Sequence, residues 1–270
     1  VQYIFGSSYY AMSEYEQAIK YFKLSSATSD FPLLAIDAHM KIGKISVTIS
    51  DFEAARANYL QASKQIDALL KMNMNDTTLN SLAGQCYEKL GELMAYFNLY
   101  SEELRLFKQS IHYLKIAVAD EAHPNYLQHV TLLGFSTKRL AEAYERQGGD
   151  VIGTYNEAIA TYEKVLSVTP HSVDTLEKLG HACANLMYVS REQKQLTLFL
   201  QAFEKANEAF STVIELAPKQ GSSLNRLSSI HLEMAIHYMD SFDYSQAKMY
   251  LDKASYYYEL TITRATNYAY

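Results

Sequence analysis

Gly6-Ser7-Ser8-Tyr9, followed by Tyr15-Glu16-Gln17-Ala18-Ile19-Lys20-Tyr21-Phe22, opens a pattern that returns along the chain. Ala18 stands twelve residues after Gly6, and Phe22 four after Ala18. Ile42-Gly43 leads to Ala55 at the same spacing of twelve, with Tyr59 and Ala62 beyond it. Near the other end, Met234-Ala235 and Tyr238 lead to Ala247, again twelve on, then to Leu251 and Ala254. Steps of three, four and seven between apolar positions are helical periodicity, and their recurrence marks an internal repeat. Small residues such as Gly6, Gly43, Ala55 and Ala247 let two antiparallel helices approach closely. Bulky Tyr59 and Leu251 are then expected to fill space between neighbouring units.

Composition agrees with an all-helical chain. Of 270 residues, 49% are hydrophobic, enough for a continuous core, while 10 Gly and 4 Pro are too few for a turn-rich β architecture. A net charge of −6 without a run of Lys and Arg argues against nucleic acid as the main partner, because phosphate binding rests on a basic field. Cys86 and Cys183 lie in apolar helical surroundings and read as buried, inert thiols. The sequence shows no signal peptide and no membrane span, so a cytoplasmic location is expected. The start at Val1-Gln2-Tyr3-Ile4 rather than Met is what a fragment of a larger protein would show.

Three further units carry the pattern with insertions. Leu140-Ala141, Tyr144 and Gly148 lead to Ala158-Ile159, Tyr162 and Pro170. Leu179-Gly180 and Cys183 lead to Ala206, Phe210 and Pro218, and Ala83-Gly84 and Tyr87 lead to Ser110-Ile111, Leu114 and Ala117. The six units resemble the tetratricopeptide repeat, in which a first helix bears Leu-Gly and Tyr, a second bears Ala and Phe, and Pro follows. The resemblance implies an all-α, right-handed α-solenoid of antiparallel helix pairs, a single repeat domain over residues 1–270. Its units fall roughly at 1–31, 32–74, 75–121, 122–171, 172–219 and 220–270. The chain departs from the family in lacking Trp, with His39 and His231 at the large first slot. Fourteen residues are also extra between Gly84 and Ser110, and again between Gly180 and Ala206. Either both helices of those units gain two turns, or Gly91 ends one helix and Ser190-Arg191-Glu192-Gln193 caps the next. Both alternatives predict that the third and fifth units protrude.

No HExxH, GxSxG, Walker loop or dinucleotide turn is present, and no cofactor or metal is expected. His123 and His129 lie six apart, a poor helical spacing for joint ligation, and the chain reads as no enzyme. With 23 Tyr against 11 Phe, some rings such as Tyr3, Tyr10 and Tyr256-Tyr257-Tyr258 exceed what one packing face accommodates and suit interfaces. The resemblance implies a concave groove lined by first-helix residues, which holds a protein or peptide partner. Carried over, the groove comprises Lys44, Val47 and Thr48; Gln85, Glu88 and Lys89; Lys138, Glu142, Glu145 and Arg146. It continues with Glu177, His181 and Asn185, then Leu232, Ile236 and Met239. The cations Lys44, Lys89, Lys138 and Arg146 are expected to draw an acidic segment, tempered by the neighbouring glutamates. The other reading is a regulatory domain of a larger signalling protein, a kinase or transcription regulator, that responds to a peptide or neighbouring domain. An oligomer is compatible with either.

Overall fold

A computed structural model describes residues 1–28, 31–218 and 221–267 of the chain. Among these residues there are twelve α-helices and no strand. The helices are α1 (Gln2–Ala11), α2 (Tyr15–Thr28), α3 (Pro32–Thr48), α4 (Phe52–Leu70), α5 (Thr77–Tyr96) and α6 (Tyr100–Ala117). They continue as α7 (Tyr126–Gln147), α8 (Val151–Leu166), α9 (Val173–Glu192), α10 (Leu196–Leu216), α11 (Ser222–Asp240) and α12 (Tyr244–Asn267). The described residues divide into two compact units, Val1–Gln147 and Gly148–Tyr270.

One turn geometry builds five of the helix pairs. Ser13, Ser50, Asn98, Lys194 and Phe242 each adopt a left-handed φ, between 57° and 62°, at the middle of a three-residue link. The next amide reaches back to the helix just ended: Glu14 N to Tyr9 O at 2.9 Å, Asp51 N to Ser46 O at 2.8 Å, Leu99 N to Met94 O at 2.9 Å. Gln195 N to Ser190 O at 2.8 Å and Asp243 N to Tyr238 O at 2.9 Å complete the set. This six-to-one closure satisfies carbonyls that a helix end leaves open. At the other ends, Asp51, Asp76 and Asp150 accept from the amides of Ala54, Leu79 and Gly153 at 2.8–3.0 Å as side-chain caps.

The identical turns locate the fourteen extra residues. Both helices of the third and fifth pairs carry them, one heptad each. Gly91 continues α5, and Ser190-Arg191-Glu192 ends α9 instead of capping α10. The register shows why. Gly6 faces Phe22, Gly43 faces Tyr59 and Gly91 faces Phe107, each pair sixteen apart in sequence. A Cβ on these glycines would stand 2.8, 2.6 and 2.8 Å from the ring, so only hydrogen fits. Gly84 and Leu114 form the next layer one heptad out, with a Cβ at 2.4 Å. In the fifth pair Met187, Phe199 and Phe203 occupy the same spacings and are all buried. Helix length shows no protrusion of the third pair, whose α5 and α6 have 20 and 18 residues against 19 in α4 and 22 in α7. In the fifth pair α9 and α10, with 20 and 21 residues, are longer than α8 and α11, with 16 and 19.

In the unit Val1–Gln147, α2 packs on α3 through Ala18, Phe22, Ala38, Ile42 and Ile45. A larger cluster runs from Ile36, Tyr59 and Ile66 to Cys86, Leu90 and Leu106. Phe107, Ile111, Leu140 and Ala143 continue it between α6 and α7. In the unit Gly148–Tyr270, Tyr155, Tyr162, Phe199, Phe210 and Leu227 are buried. His231 is buried there too, ringed by Phe203, Tyr250 and Tyr257, so it fills the large slot as expected. His39 is half-buried, its Nδ1 3.1 Å from Asn58 Oδ1. Cys86 and Cys183 are buried free thiols, both pushed up to about 12 by that burial. Leu251 corrects the sequence reading. It stands in the slot that Phe22 and Phe210 fill at 0% exposure, yet it is 47% exposed.

Candidate partner-binding surface

In the unit Val1–Gln147, α5 and α7 carry six charges that interlock. Glu88, Lys89 and Glu92 come from α5, and Lys138, Arg139 and Glu142 from α7, at helical spacings of three and four. Lys89 Nζ lies 2.9 Å from Glu92 and 3.2 Å from Glu88. Arg139 joins the helices, 3.4 Å from Glu92 while also pairing with Glu142, which takes Lys138 as well. Phe135, one turn before Arg139, has the ammonium groups of Lys89 and Lys138 each 5.8 Å from its ring centre.

The electrostatics follow from burial. Glu88 is 4% exposed, and desolvation, with Glu92 beside it, pushes its carboxyl up to about 7 against the pull of Lys89. Burial also opposes ionisation of Glu142, but Lys138 and Arg139 outweigh it and hold that carboxyl below its usual value. Three carboxyl groups, of which Glu88 takes up its proton near neutrality, therefore meet three cations in a fixed arrangement.

Each expected groove residue has a definite place. Lys44 is exposed on α3, its Nζ 5.7 Å over the Tyr10 ring, and Thr48 Oγ1 donates to the Lys44 carbonyl at 3.2 Å. Gln85 is half-buried and donates to Ser81 O at 3.4 Å. Lys89, Lys138 and Glu142 belong to the network just described. Arg146 leaves it: the guanidinium reaches Glu103 on α6, and Gln147 Nε2 donates to the same carboxylate at 3.3 Å. The expected four-cation field is thus largely spent on internal pairs, and reversing those charges would break them. In the unit Gly148–Tyr270, His181 sets its ring edge on Phe210 at 5.4 Å, and Asn185 donates to the buried Tyr155 hydroxyl at 3.2 Å. Ile236 is half-buried and Met239 exposed on α11.

Glu92, Phe135 and Arg139 escaped the sequence reading. Their signal was present, since Glu92 lies four residues from Glu88 and Arg139 three from Glu142. His123 and His129 do come together, with ring centroids 4.9 Å apart, although among the described residues no group of three or more His, Cys, Asp or Glu is placed to hold a metal. No helix among them is long and apolar enough to cross a membrane.

No family model matches the chain. No curated protein matches it either. Among solved structures it is similar to PilW, described as a widely conserved type IV pilus biogenesis factor. That match has a TM-score of 0.54 and 16% identity, over 92% of this chain and 88% of PilW. The apo form of RapI matches with a TM-score of 0.54 and 13% identity, over 96% of this chain and 74% of RapI. YrrB, a TPR protein with an unusual peptide-binding site, matches at 0.40 and 13%, over 85% and 91%. The fold is tetratricopeptide-like: all-α, built of repeated antiparallel helix pairs.

Proposed function

We propose that this chain is a protein-interaction scaffold and not an enzyme, holding a partner segment on the α5–α7 face of its first unit. The observation that supports this is the Phe135 ring, partly exposed and set between two lysines whose positions carboxylates fix. An aromatic ring supplies contact area at low entropic cost, and charged groups already locked by partners need no further ordering when a ligand arrives. The six charges of the network sum to zero with Glu88 ionised. Recognition therefore rests on where donors and acceptors stand rather than on attraction to an acidic segment. Lys44 and Gln85, on α3 and α5, extend the same kind of surface. An extended or helical peptide is the ligand this face fits.

A displayed peptide library panned on the parent protein tests the proposal. Enriched peptides should bind Phe135→Ala about tenfold or more weakly, the loss expected of an aromatic anchor. Lys64→Gln and Lys164→Gln, on the second helices, should leave binding unchanged. Peptides indifferent to Phe135→Ala, with folding verified, would remove the α5–α7 face from consideration.

A further inference from the structure

Within the unit Val1–Gln147, residues of α4, α5 and α6 enclose a cavity of about 220 Å³. Its floor is apolar: Leu90 and Met94 of α5 and Leu106 of α6 are all buried, while Leu60 of α4 forms a wall that reaches solvent. Tyr87 completes the floor and is fixed there. Its ring stacks on Tyr113 with centroids 5.5 Å apart, and its hydroxyl donates to Asp67 at 3.0 Å.

The repeat shows what is unusual here. In the register that aligns Ala18 with Ala55, Arg56 falls on Ile19. Ile19 packs on the apolar cluster of α2 and α3, whereas the Arg56 guanidinium lies 6.0 Å from the centre of the Phe97 ring. A cation therefore borders the cavity where the preceding pair has an apolar side chain. Two further charges line it and cancel each other. Arg105 Nε lies 2.8 Å from Glu102, Nη2 of the same guanidinium takes the other carboxylate oxygen, and Nη1 donates to Gln109 at 2.6 Å. The Arg105 hydrogen bonds first, and the charge of Arg56 more weakly, hold the Glu102 carboxyl below its usual value. Arg56 itself is half-buried and pairs with no carboxylate among the described residues. One uncompensated positive charge thus stands beside an apolar floor.

We propose that this cavity binds a small organic acid, its compact apolar body on Leu90 and Met94 and its one carboxylate on Arg56. The size fits: at about 30 Å³ for each water of the liquid, the volume equals about seven waters, the bulk of a ring with a short acidic arm. Covering the floor removes apolar surface from water, and the Met94 thioether favours an aromatic ring. A planar guanidinium takes a carboxylate through two parallel hydrogen bonds. Because Arg56 is half-buried, that pair is screened less than one on open surface. Glu88, Lys89 and Glu92 lie on the other side of α5, so the proposal stands whether or not the α5–α7 face binds peptide.

Titration of the whole chain with phenylacetate, followed through the methyl resonances of isotope-labelled methionine, tests this. The buried Met94 methyl, assigned with Met94→Leu, should shift and saturate. The dissociation constant should be on the order of 1 mM, the scale set by about ten non-hydrogen atoms. Phenylacetamide, the neutral isostere, and phenylethylammonium should bind about tenfold or more weakly. Arg56→Gln, with helicity checked by circular dichroism, should lose about tenfold for phenylacetate and nothing for phenylacetamide. A Met94 methyl that stays still well above that concentration overturns the proposal. So does phenylacetamide binding as well as the acid, which needs no variant to be read. An N-acetylated dipeptide ending in a free phenylalanine that binds more tightly than phenylacetate would make the cavity a seat for a peptide end, and would overturn the assignment to a small acid.

Discussion

Arg146 on α7 holds the carboxylate of Glu103 on α6, a side chain with no exposure to water. Glu103 stands twelve residues after Gly91, the slot that Ala18 and Ala55 fill in the first two pairs. A charge there is tolerated only because Arg146 and Gln147 close on it. Arg146→Ala should therefore destabilise the protein by about 2 kcal/mol, below the range for breaking a fully buried pair because Arg146 itself still meets solvent. Adding Glu103→Ala should recover most of that loss. A urea double-mutant cycle measures both, and simple additivity of the two changes would show that the pair is not coupled.

Gly91 and Phe107 give a second cycle. A methyl group at Gly91 would stand 2.8 Å from the Phe107 ring, on a helix packed on both sides. Gly91→Ala should cost about 1–3 kcal/mol by overpacking, outweighing the usual gain of Ala over Gly in a helix. Phe107→Leu in that background should cost less than it does alone, since the smaller side chain makes room. The layer one heptad out already pairs Gly84 with Leu114. Thermal melts of the four proteins decide it.

These two sites show how far the sequence was legible. The repeat, the helix pairing and the buried roles of Tyr59, Tyr162, Phe210 and His231 follow from small and large residues at fixed spacing. In the third and fifth pairs that code is obscured. Glu103 replaces a small residue in one, while Met187 and Phe199 replace two in the other, so the small-residue pair surfaced one heptad out on each helix, at a spacing of 26 instead of twelve. Compensation from Arg146 lies 43 residues downstream, beyond any local pattern. Leu251 was misread for another reason: its environment depends on a neighbour that a motif cannot supply. The α5–α7 network was half visible, because helical spacing shows which charges on one helix meet but not that Arg139 crosses to Glu92.

Glu88 makes a pH prediction. Its carboxyl is raised in the folded protein, to about 7, from an ordinary value of 4.5. Between those values the folded state holds a proton that the unfolded state has lost, so stability falls as pH rises through the window. Below it the group contributes no penalty, and above it the penalty is complete, about 3 kcal/mol. His129 and His231, lowered chiefly by burial, act oppositely by weakening the fold as pH drops below the ordinary His value. The difference between parent and Glu88→Gln isolates the first effect. Glu88→Gln should gain on the parent from pH 5 to 8, and parallel stability curves would show that Glu88 titrates normally.

In the fourth pair, Ala158 fixes the register. Ala158 is fully buried on α8, whereas Ala160, two residues on, faces solvent. Leucine at Ala158 must push into a close helix contact, at a cost of about 1–3 kcal/mol. The same leucine at Ala160 adds only exposed surface on a helix and should stay within about 0.5 kcal/mol. Glu142→Ala is no neutral control, because Glu142 takes both Lys138 and Arg139. Identical substitutions on one helix cancel differences in propensity, so the gap between the two denaturation midpoints reports burial alone. Equal midpoints for Ala158→Leu and Ala160→Leu would place the buried stripe of α8 elsewhere, and with it the slot for Tyr162.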